Sequence, residues 1–439
     1  MSTSSNEMVL AFDFSLDRLD VALRGAEPDW RWGHRAYPNN WVGYQQLKQD
    51  LLEELERASP VQLTAVGEST GPYWWHAFYH LSHDAELASF EPQLALLNPA
   101  HLRGYRKALA EQDKTDPNDA RLIDHYYRAV GVKHPYQFAD RYLRLRTLSR
   151  AYARVMHSLG SEKAYLLSVL YLWGSEYQRR EVQPFANLFG ATSQFIFDEY
   201  ADLQALADIP LEELSALLTQ RSGHTLRHPT TTATKLQQVA ENSYPLPAPL
   251  AETLYQVLQL TLAHIRLLTD TQQTYRQLLV TELDSLPEAQ LARSFKGLGP
   301  ILVAGCLAEI QDTSRFLSGT KLDQRTHTHR PRTYRDGQAA VAKLAGLWWP
   351  KHDSGRVQGC QPHLARERNP YLRLWLVQSA YTLQRYQPDY KRFYWKKYHE
   401  TLDHPHKRAL ILTARKATRL IFALLHKGRL ASLKEGLLT

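Results

Sequence analysis

The sequence predicts an α/β domain at the N-terminal end and a largely helical remainder. Three observations carry that division. Between residues 8 and 98, short apolar runs that read as strands alternate with stretches whose apolar residues recur at helical spacing. From residue 131 onward the strand-like runs give way to long helical periodicity, clearest from Leu254 to Leu279. Between the two regions lies Asp113-Lys114-Thr115-Asp116-Pro117-Asn118-Asp119-Ala120, with a pair of carboxylates at the start of a helix.

The elements follow in order. Residues 8–15 and 19–25 read as strands, with Ser15 to Arg18 as a tight turn, and residues 30–37 as a third strand, so the chain opens with an antiparallel meander. A helix over 40–58 places Leu47, Leu51, Leu52 and Leu55 on one face. Residues 61–67 form a fourth strand ending at Glu68, and Gly-Pro-Tyr-Trp-Trp at 71–75 starts a helix. Residues 92–98 give a fifth strand, followed by a helix from Ala100 to Leu109. Pro117 fits just inside the next helix start, with Asp116 as its N-cap. Three strands, a helix, a strand, a helix, a strand and more helix is the order of a ribonuclease-H-like sheet, which supports metal-dependent phosphodiester chemistry.

The acids fall where that chemistry needs them. Asp13 lies inside the first strand between Phe12 and Phe14, where an acid is costly unless paired or metal-bound. Glu68 ends the fourth strand, and Asp116 and Asp119 open the late helix. The helix pair has two readings: a cap with a first-turn acid favoured by the helix dipole, or half of a hard-cation site. With the first and fourth strands adjacent, all four acids meet at one edge of the sheet. Asp20 and Asp113 are nearby acids read as solvated or fold-supporting.

The totals bound the function classes. The 439 residues suffice for two or three domains, and a net charge of +8 with pI near 9.2 favours a polyanionic partner. Cys306 and Cys360 are the two cysteines, so a disulfide framework and a cysteine zinc site are not expected. The polar opening residues and the lack of any membrane-length apolar run give the expectation of a soluble protein of the cytoplasm, associated with the nucleoid.

The middle of the chain, 131–290, carries Arg141, Arg144, Arg146, Arg150 and Arg154 interleaved with Tyr142, Leu143, Leu145, Leu148 and Tyr152. Such a helix either displays a solvated basic face or grips a nucleic-acid backbone. Residues 161–246 are helical and broken by prolines. Leu254, Leu258, Thr261, Ile265, Leu268, Gln272, Tyr275 and Leu279 then alternate at four and three residues. That seam is either a dimerising coiled coil or a helix packed on its own chain. Further on, Lys296-Gly297-Leu298-Gly299 between helices fits a helix-hairpin-helix turn whose amides bind phosphate, or a plain helix–helix turn. The stretch Lys321–Lys343, with His327 and His329, reads as a basic loop. A basic amphipathic helix over 405–427, with Arg415, Lys416 and Arg419, closes the chain.

The chain resembles the DEDD transposase family of insertion sequences, which includes the Piv-type invertases. The segments that carry the resemblance are Phe12-Asp13-Phe14-Ser15, Leu19-Asp20-Val21-Ala22-Leu23, Glu68-Ser69-Thr70-Gly71-Pro72-Tyr73, Asn98-Pro99, and Lys114-Thr115-Asp116 with Asp119-Ala120. Later come Ala345-Gly346-Leu347, Ser354-Gly355, and Arg366-Glu367-Arg368-Asn369-Pro370-Tyr371-Leu372-Arg373. One departure is Leu16, where the family commonly has Lys. The resemblance implies a RuvC-like catalytic domain over 1–130, a helical coiled-coil and oligomerisation region over 131–290, and a transposase domain over 291–439. It implies Mg²⁺ on Asp13, Glu68, Asp116 and Asp119, and a nucleophilic serine at Ser354. Arg356, Arg366, Arg368 and Arg373 are the candidates to meet phosphate oxygens. Implied partners are donor and target DNA, a non-coding guide (bridge) RNA, and further copies of the chain as a dimer or tetramer. The alternatives are a RuvC-like Holliday-junction resolvase using water, and a Piv-like invertase working without RNA.

Overall fold

The computed structural model describes residues 7–25, 30–58, 62–109, 116–131, 135–323, 326–349, 364–365 and 368–436; of Asp116 and Pro117 it describes only the helical backbone. The chain divides into two compact units, Met1–Ala139 and Asp140–Thr439. The expected segments 131–290 and 291–439 therefore fall almost wholly within the second unit.

The first unit is built on a five-stranded sheet. Its strands are β1 (Glu7–Phe14), β2 (Arg18–Arg24), β3 (Trp30–Pro38), β4 (Gln62–Glu68) and β5 (Gln93–Leu97), in the order β3-β2-β1-β4-β5. The meander β1–β3 is antiparallel, and β1, β4 and β5 run parallel. The helices are α1 (Trp41–Ala58), α2 (Trp75–His83), α3 (Pro99–Ala108) and α4 (Asp116–Val130). Alternation along β1 sorts its side chains between two cores. Met8, Leu10, Phe12 and Phe14 pack with Leu47, Leu51 and Leu55 of α1 and Phe78 of α2. Val9 and Ala11 face the other way, toward Leu122, Ile123 and Tyr126 of α4. The element order matches the sequence expectation nearly to the residue. The reason is that the strands are short and bounded by turn residues, and all but β3 are largely apolar.

The second unit is helical. Its frame is two long helices, α5 (Asp140–Trp173) and, after α6 (Ala191–Glu199), α7 (Leu211–Arg221) and α8 (Pro229–Asn242), α9 (Ala248–Asp284). The two run antiparallel, since Arg144 pairs with Glu282 and Glu162 with His264. Leu159, Leu166 and Leu170 of α5 share a core with Leu258, Leu262 and Ile265 of α9. The four–three seam on α9 thus has part of its buried face against its own chain.

Next come α10 (Gln290–Arg293), α11 (Pro300–Ile310), a hairpin of β6 (Thr320–Leu322) and β7 (His329–Pro331), α12 (Tyr334–Leu344), α13 (Pro370–Tyr386), α14 (Pro388–Tyr398) and α15 (Pro405–Lys434). The basic loop expected at Lys321–Lys343 is instead this hairpin followed by α12. The local cause is a capping box, in which Thr333 and Asp336 satisfy each other's backbone amides. Asp336 also accepts from Lys321 Nζ at 2.7 Å and Arg330 at 2.6 Å, which ties hairpin to helix. The closing helix is longer than the expected 405–427, ending at Lys434.

Candidate functional site

Strand register places two of the expected acids side by side. Phe12 pairs with Gly67 across the parallel β1–β4 ladder, so Asp13 and Glu68 are the next residues on neighbouring strands. Parity puts both on the face that carries Val9, Ala11 and Val66, the face that α4 covers. Adjacent strands lie about 4.8 Å apart, which brings the two carboxylates into each other's field.

The opposite face of the same strand ends is held by rings. Phe12 and Phe14 stack at 5.1 Å, and both meet Phe78 edge-on at 5.5 and 5.2 Å. Gly67 admits this packing, because a Cβ there would stand 2.3 Å from the Phe14 ring. The ends of β1 and β4 that bear the acids therefore sit on a close-packed aromatic base.

The direction of α4 supplies the rest. Near its C-terminal end, Tyr127 donates to Glu7 at 2.8 Å, at the start of β1, and burial with this contact pushes the Tyr127 hydroxyl up to about 12. Arg128 bonds Asp124 at 2.8 Å and the carbonyls of Arg24 and Gly25. The N-terminal turn of α4 consequently lies toward the Asp13 end of β1. Asp119 is buried there, and Arg106 of α3 donates to it at 2.5 Å. Glu68 is half-buried and accepts from Thr70 Oγ1 at 2.6 Å.

Asp20 needs a correction to the solvated alternative. It is 3% exposed, lies opposite Asp13 in the β1–β2 ladder, and is bonded by His34 Nε2 at 2.8 Å and Arg18 at 2.5 Å. The sequence shows an acid in a strand, but not that its neighbours on β2 and β3 neutralise it.

An all-oxygen carboxylate set suits a hard divalent cation. Among the described residues, no three His, Cys, Asp or Glu side chains are arranged to hold a metal. Asp119 is engaged by Arg106, and the Asp116 side chain is outside the described residues. The donor chemistry suits a hard cation, and Arg106 donates to one oxygen of Asp119, Oδ1.

The basic residues divide by what they touch. Arg141 forks onto Glu288 at 3.0 and 2.9 Å, and Arg150 onto Glu309 at 2.7 and 2.9 Å. Arg146 stands 3.6 Å from Glu309, and Arg144 2.9 Å from Glu282. Four of the five arginines expected on a nucleic-acid face are thus ion-paired within the unit; Arg154 is exposed. Burial raises the Glu309 carboxyl's pKa, but Arg150, Arg146 and Asn369 outweigh it and leave the group below its ordinary value.

Arg373 departs from its expected role most clearly. Its guanidinium donates to the carbonyls of Ala345 at 3.0 Å, Gly346 at 2.5 Å and Ala365 at 3.3 Å. Burial and the charge of Arg368 lower its pKa. It braces backbone, while Arg368 itself is exposed. Ser354, Arg356 and Arg366 lie outside the described residues.

Gly297 takes φ +102° in the turn before α11, and Gly299 caps that helix. The Gly297 carbonyl accepts from Thr382 at 2.7 Å and the Lys296 carbonyl from Gln387 at 2.7 Å, while the Lys296 side chain is exposed. Arg415 and Arg419 are exposed on α15; Lys416 lies over the Tyr390 and Phe393 rings at 4.8 and 4.9 Å.

Residues 26–173 match the model of a DEDD transposase family, described as a transposase. The matched stretch contains Glu68, Asp116 and Asp119; Asp13 precedes it and Ser354 follows it. No curated protein matches the chain. Over the matched stretch the chain is similar to transposases. Among the described residues no helix is long and apolar enough to cross a membrane.

Proposed function

We propose that the chain is a DEDD-type transposase, a site-specific recombinase that cuts and rejoins DNA with Mg²⁺ and a phosphoserine intermediate at Ser354. The observation that supports the reading best is the adjacent register of Asp13 and Glu68 beneath the N-terminal end of α4, where Asp119 is buried.

Asp13, Glu68, Asp116 and Asp119 hold the cation. When bound, it polarises the scissile phosphate and stabilises the departing oxygen. Ser354 attacks phosphorus; its hydroxyl proton leaves as the O–P bond forms, and the sugar oxygen is protonated as its own bond to phosphorus breaks. One phosphodiester replaces another, so the bond is conserved for rejoining. Of the basic residues the sequence singles out, Lys296, Arg154, Arg368, Arg415 and Arg419 are exposed and can meet backbone phosphates, with Arg356 and Arg366 beside Ser354 in sequence. A non-coding guide RNA that pairs with donor and target DNA supplies sequence choice, and the reaction is run by a dimer or tetramer in the cytoplasm. A protein that grips backbones and leaves bases to a guide matches this mix of charges.

The test is cleavage of the element's junction DNA with Mg²⁺ and the flanking RNA, read on a denaturing protein gel. A protein–DNA adduct lost in Ser354→Ala and in Asp13→Ala is the expected result. Cleavage without adduct that survives Ser354→Ala overturns the phosphoserine step and leaves a water-using nuclease. Full activity without RNA leaves a Piv-like invertase.

A further inference from the structure

We propose that the outward face of α14, centred on Trp395, is a stacking site for unpaired DNA bases, with flanking cations for the phosphates of the same strand. The inference rests on the DNA-recombinase reading above and concerns strands that are open or cut in that reaction.

In α14 rings alternate with cations, in the order Pro-Asp-Tyr-Lys-Arg-Phe-Tyr-Trp-Lys-Lys-Tyr. Helical periodicity sorts them. Tyr390 and Tyr394 are buried, one turn apart, on the side that packs against α13 and α15. Lys391, Arg392, Trp395 and Lys396 recur at spacings of three and four and share the exposed side. Trp395 is 44% exposed in the midst of these cations. The inward rings are closed off by lysines: Lys416 lies over Tyr390 at 4.8 Å and over Phe393 at 4.9 Å, and Lys397 over Phe393 at 5.8 Å. Among the described residues no cation lies over Trp395. Rings hold it instead. Tyr394 and Tyr398 meet it edge-on at 5.4 and 5.2 Å, and His399 stacks on it at 5.8 Å. A held aromatic plane loses little freedom when a ligand stacks on it.

The charge around the indole selects the ligand. Arg392 pairs with Asp389 at 2.5 Å, but both are exposed, and water and salt weaken such a pair. Among the described residues no acid pairs with Lys391 or Lys396. A positive face around one flat apolar ring complements a single strand, which carries negative phosphates and open base faces. A duplex keeps its base faces stacked inside, so it meets the cations without meeting the indole.

The test is binding of the full chain to labelled oligothymidylate, a blunt DNA duplex and oligouridylate, across a salt series. Trp395→Ala should weaken oligothymidylate binding about tenfold, the loss of one stacked base, and leave the salt slope and the duplex affinity unchanged. Trp395→Phe should keep most of the affinity. Lys391→Gln with Lys396→Gln should lower the single-strand salt slope by about 1.4. One reading needs no variant to fold: an oligothymidylate carrying a photoreactive base should cross-link to Trp395 in the wild type.

Unchanged oligothymidylate affinity in Trp395→Ala overturns the inference, as does an equal loss for the blunt duplex. A loss confined to oligouridylate gives the face to RNA and overturns the DNA assignment. If Trp395→Ala turns an oligomer of the wild type into a smaller species, the face belongs to a second copy and the inference falls. A wild type that makes no DNA adduct defeats the recombinase reading separately, because the oligothymidylate isotherm is read without cleavage.

Discussion

The second unit braces its buried carboxylates with arginines, and the first unit does so at Asp124 but not at Glu68. In the second unit Glu309 has no exposed side-chain surface and receives both arms of the Arg150 fork plus the Asn369 amide at 2.7 Å. Glu288 is treated alike by Arg141 and by the Tyr142 hydroxyl at 2.9 Å. Each acid there joins helices far apart in sequence. In the first unit Asp124 is braced in the same way by Arg24 and Arg128, whereas Glu68 at its strand end accepts from a neutral hydroxyl two residues on. A carboxylate saturated by guanidinium forks is finished as a structural part. Carboxylates grouped at one edge concentrate negative charge that a cation can satisfy.

The sharpest way to break this comparison is to remove an acid of each kind. Asp13→Ala or Glu68→Gln should lower DNA cleavage by about 10³-fold or more, because charge stabilisation at the reacting phosphate is lost. The urea midpoint of Glu68→Gln should stay close to the wild type's, since the amide oxygen can still accept from the Thr70 hydroxyl. Cleavage at wild-type rates in either variant would refute the site. Glu309→Gln should do the reverse, costing about 1–3 kcal/mol of stability by leaving the half-buried guanidinium groups of Arg146 and Arg150 without their buried counterion. Its cleavage rate per folded molecule should remain near normal. Urea unfolding separates the two classes.

Glu309 also gives the comparison a pH dependence. Its carboxyl titrates below its ordinary value of 4.5, so it contributes stability that is fully present above that pH. The contribution is lost as pH falls from there through the lower folded value. The gap in urea midpoint between wild type and Glu309→Gln should therefore hold from about pH 7 to about pH 5 and narrow below that. A gap that stays constant down to the acid limit would show that the Arg150 fork does not depend on the charge of Glu309.

A smaller effect comes from the base of the site. Gly67→Ala puts a methyl group 2.3 Å from the Phe14 ring. The ring must give way, at a cost of about 1–3 kcal/mol. Because Phe14 follows Asp13 and Gly67 precedes Glu68, activity should fall along with stability. Stability lost without any change in cleavage would show that the aromatic base does not position the acids.

The contrast explains what could be read from the sequence. The strands of the first unit were legible because alternation and turn residues are local, and the pairing of Asp13 with Glu68 follows from strand order alone. The fate of the arginines was not legible. Arg141 and Glu288 are 147 residues apart, and Arg150 and Glu309 159, so nothing near either arginine announces its partner. A run of arginines between leucines looks the same whether it faces phosphate or buried glutamate. Arg106 and Asp119 stand only 13 residues apart, but on different helices, so their pairing follows from tertiary packing and not from local pattern. The capping box at Thr333 was local, but the surrounding His, Arg and Thr residues carry no apolar rhythm, and α12 was missed behind them.

Arg144 is where the comparison is closest to failing, and the smallest effect is expected there. It pairs with Glu282 at 2.9 Å, yet 80% of its side chain is exposed against 9% for its partner. An exposed guanidinium gains little from an ion pair, so Arg144→Ala should cost less than about 1 kcal/mol. Arg141→Ala should cost more, because it strips a fork from a buried acid. Exposure also leaves Arg144 able to trade Glu282 for a phosphate. If it does so in the DNA or RNA complex, Arg144→Ala should reduce the slope of log affinity against log salt by about 0.9. An unchanged slope would place Arg144 with Arg141 and Arg150, as a residue whose charge is spent inside the protein. The two measurements divide the helix by exposure, which the spacing of arginines along α5 does not reveal.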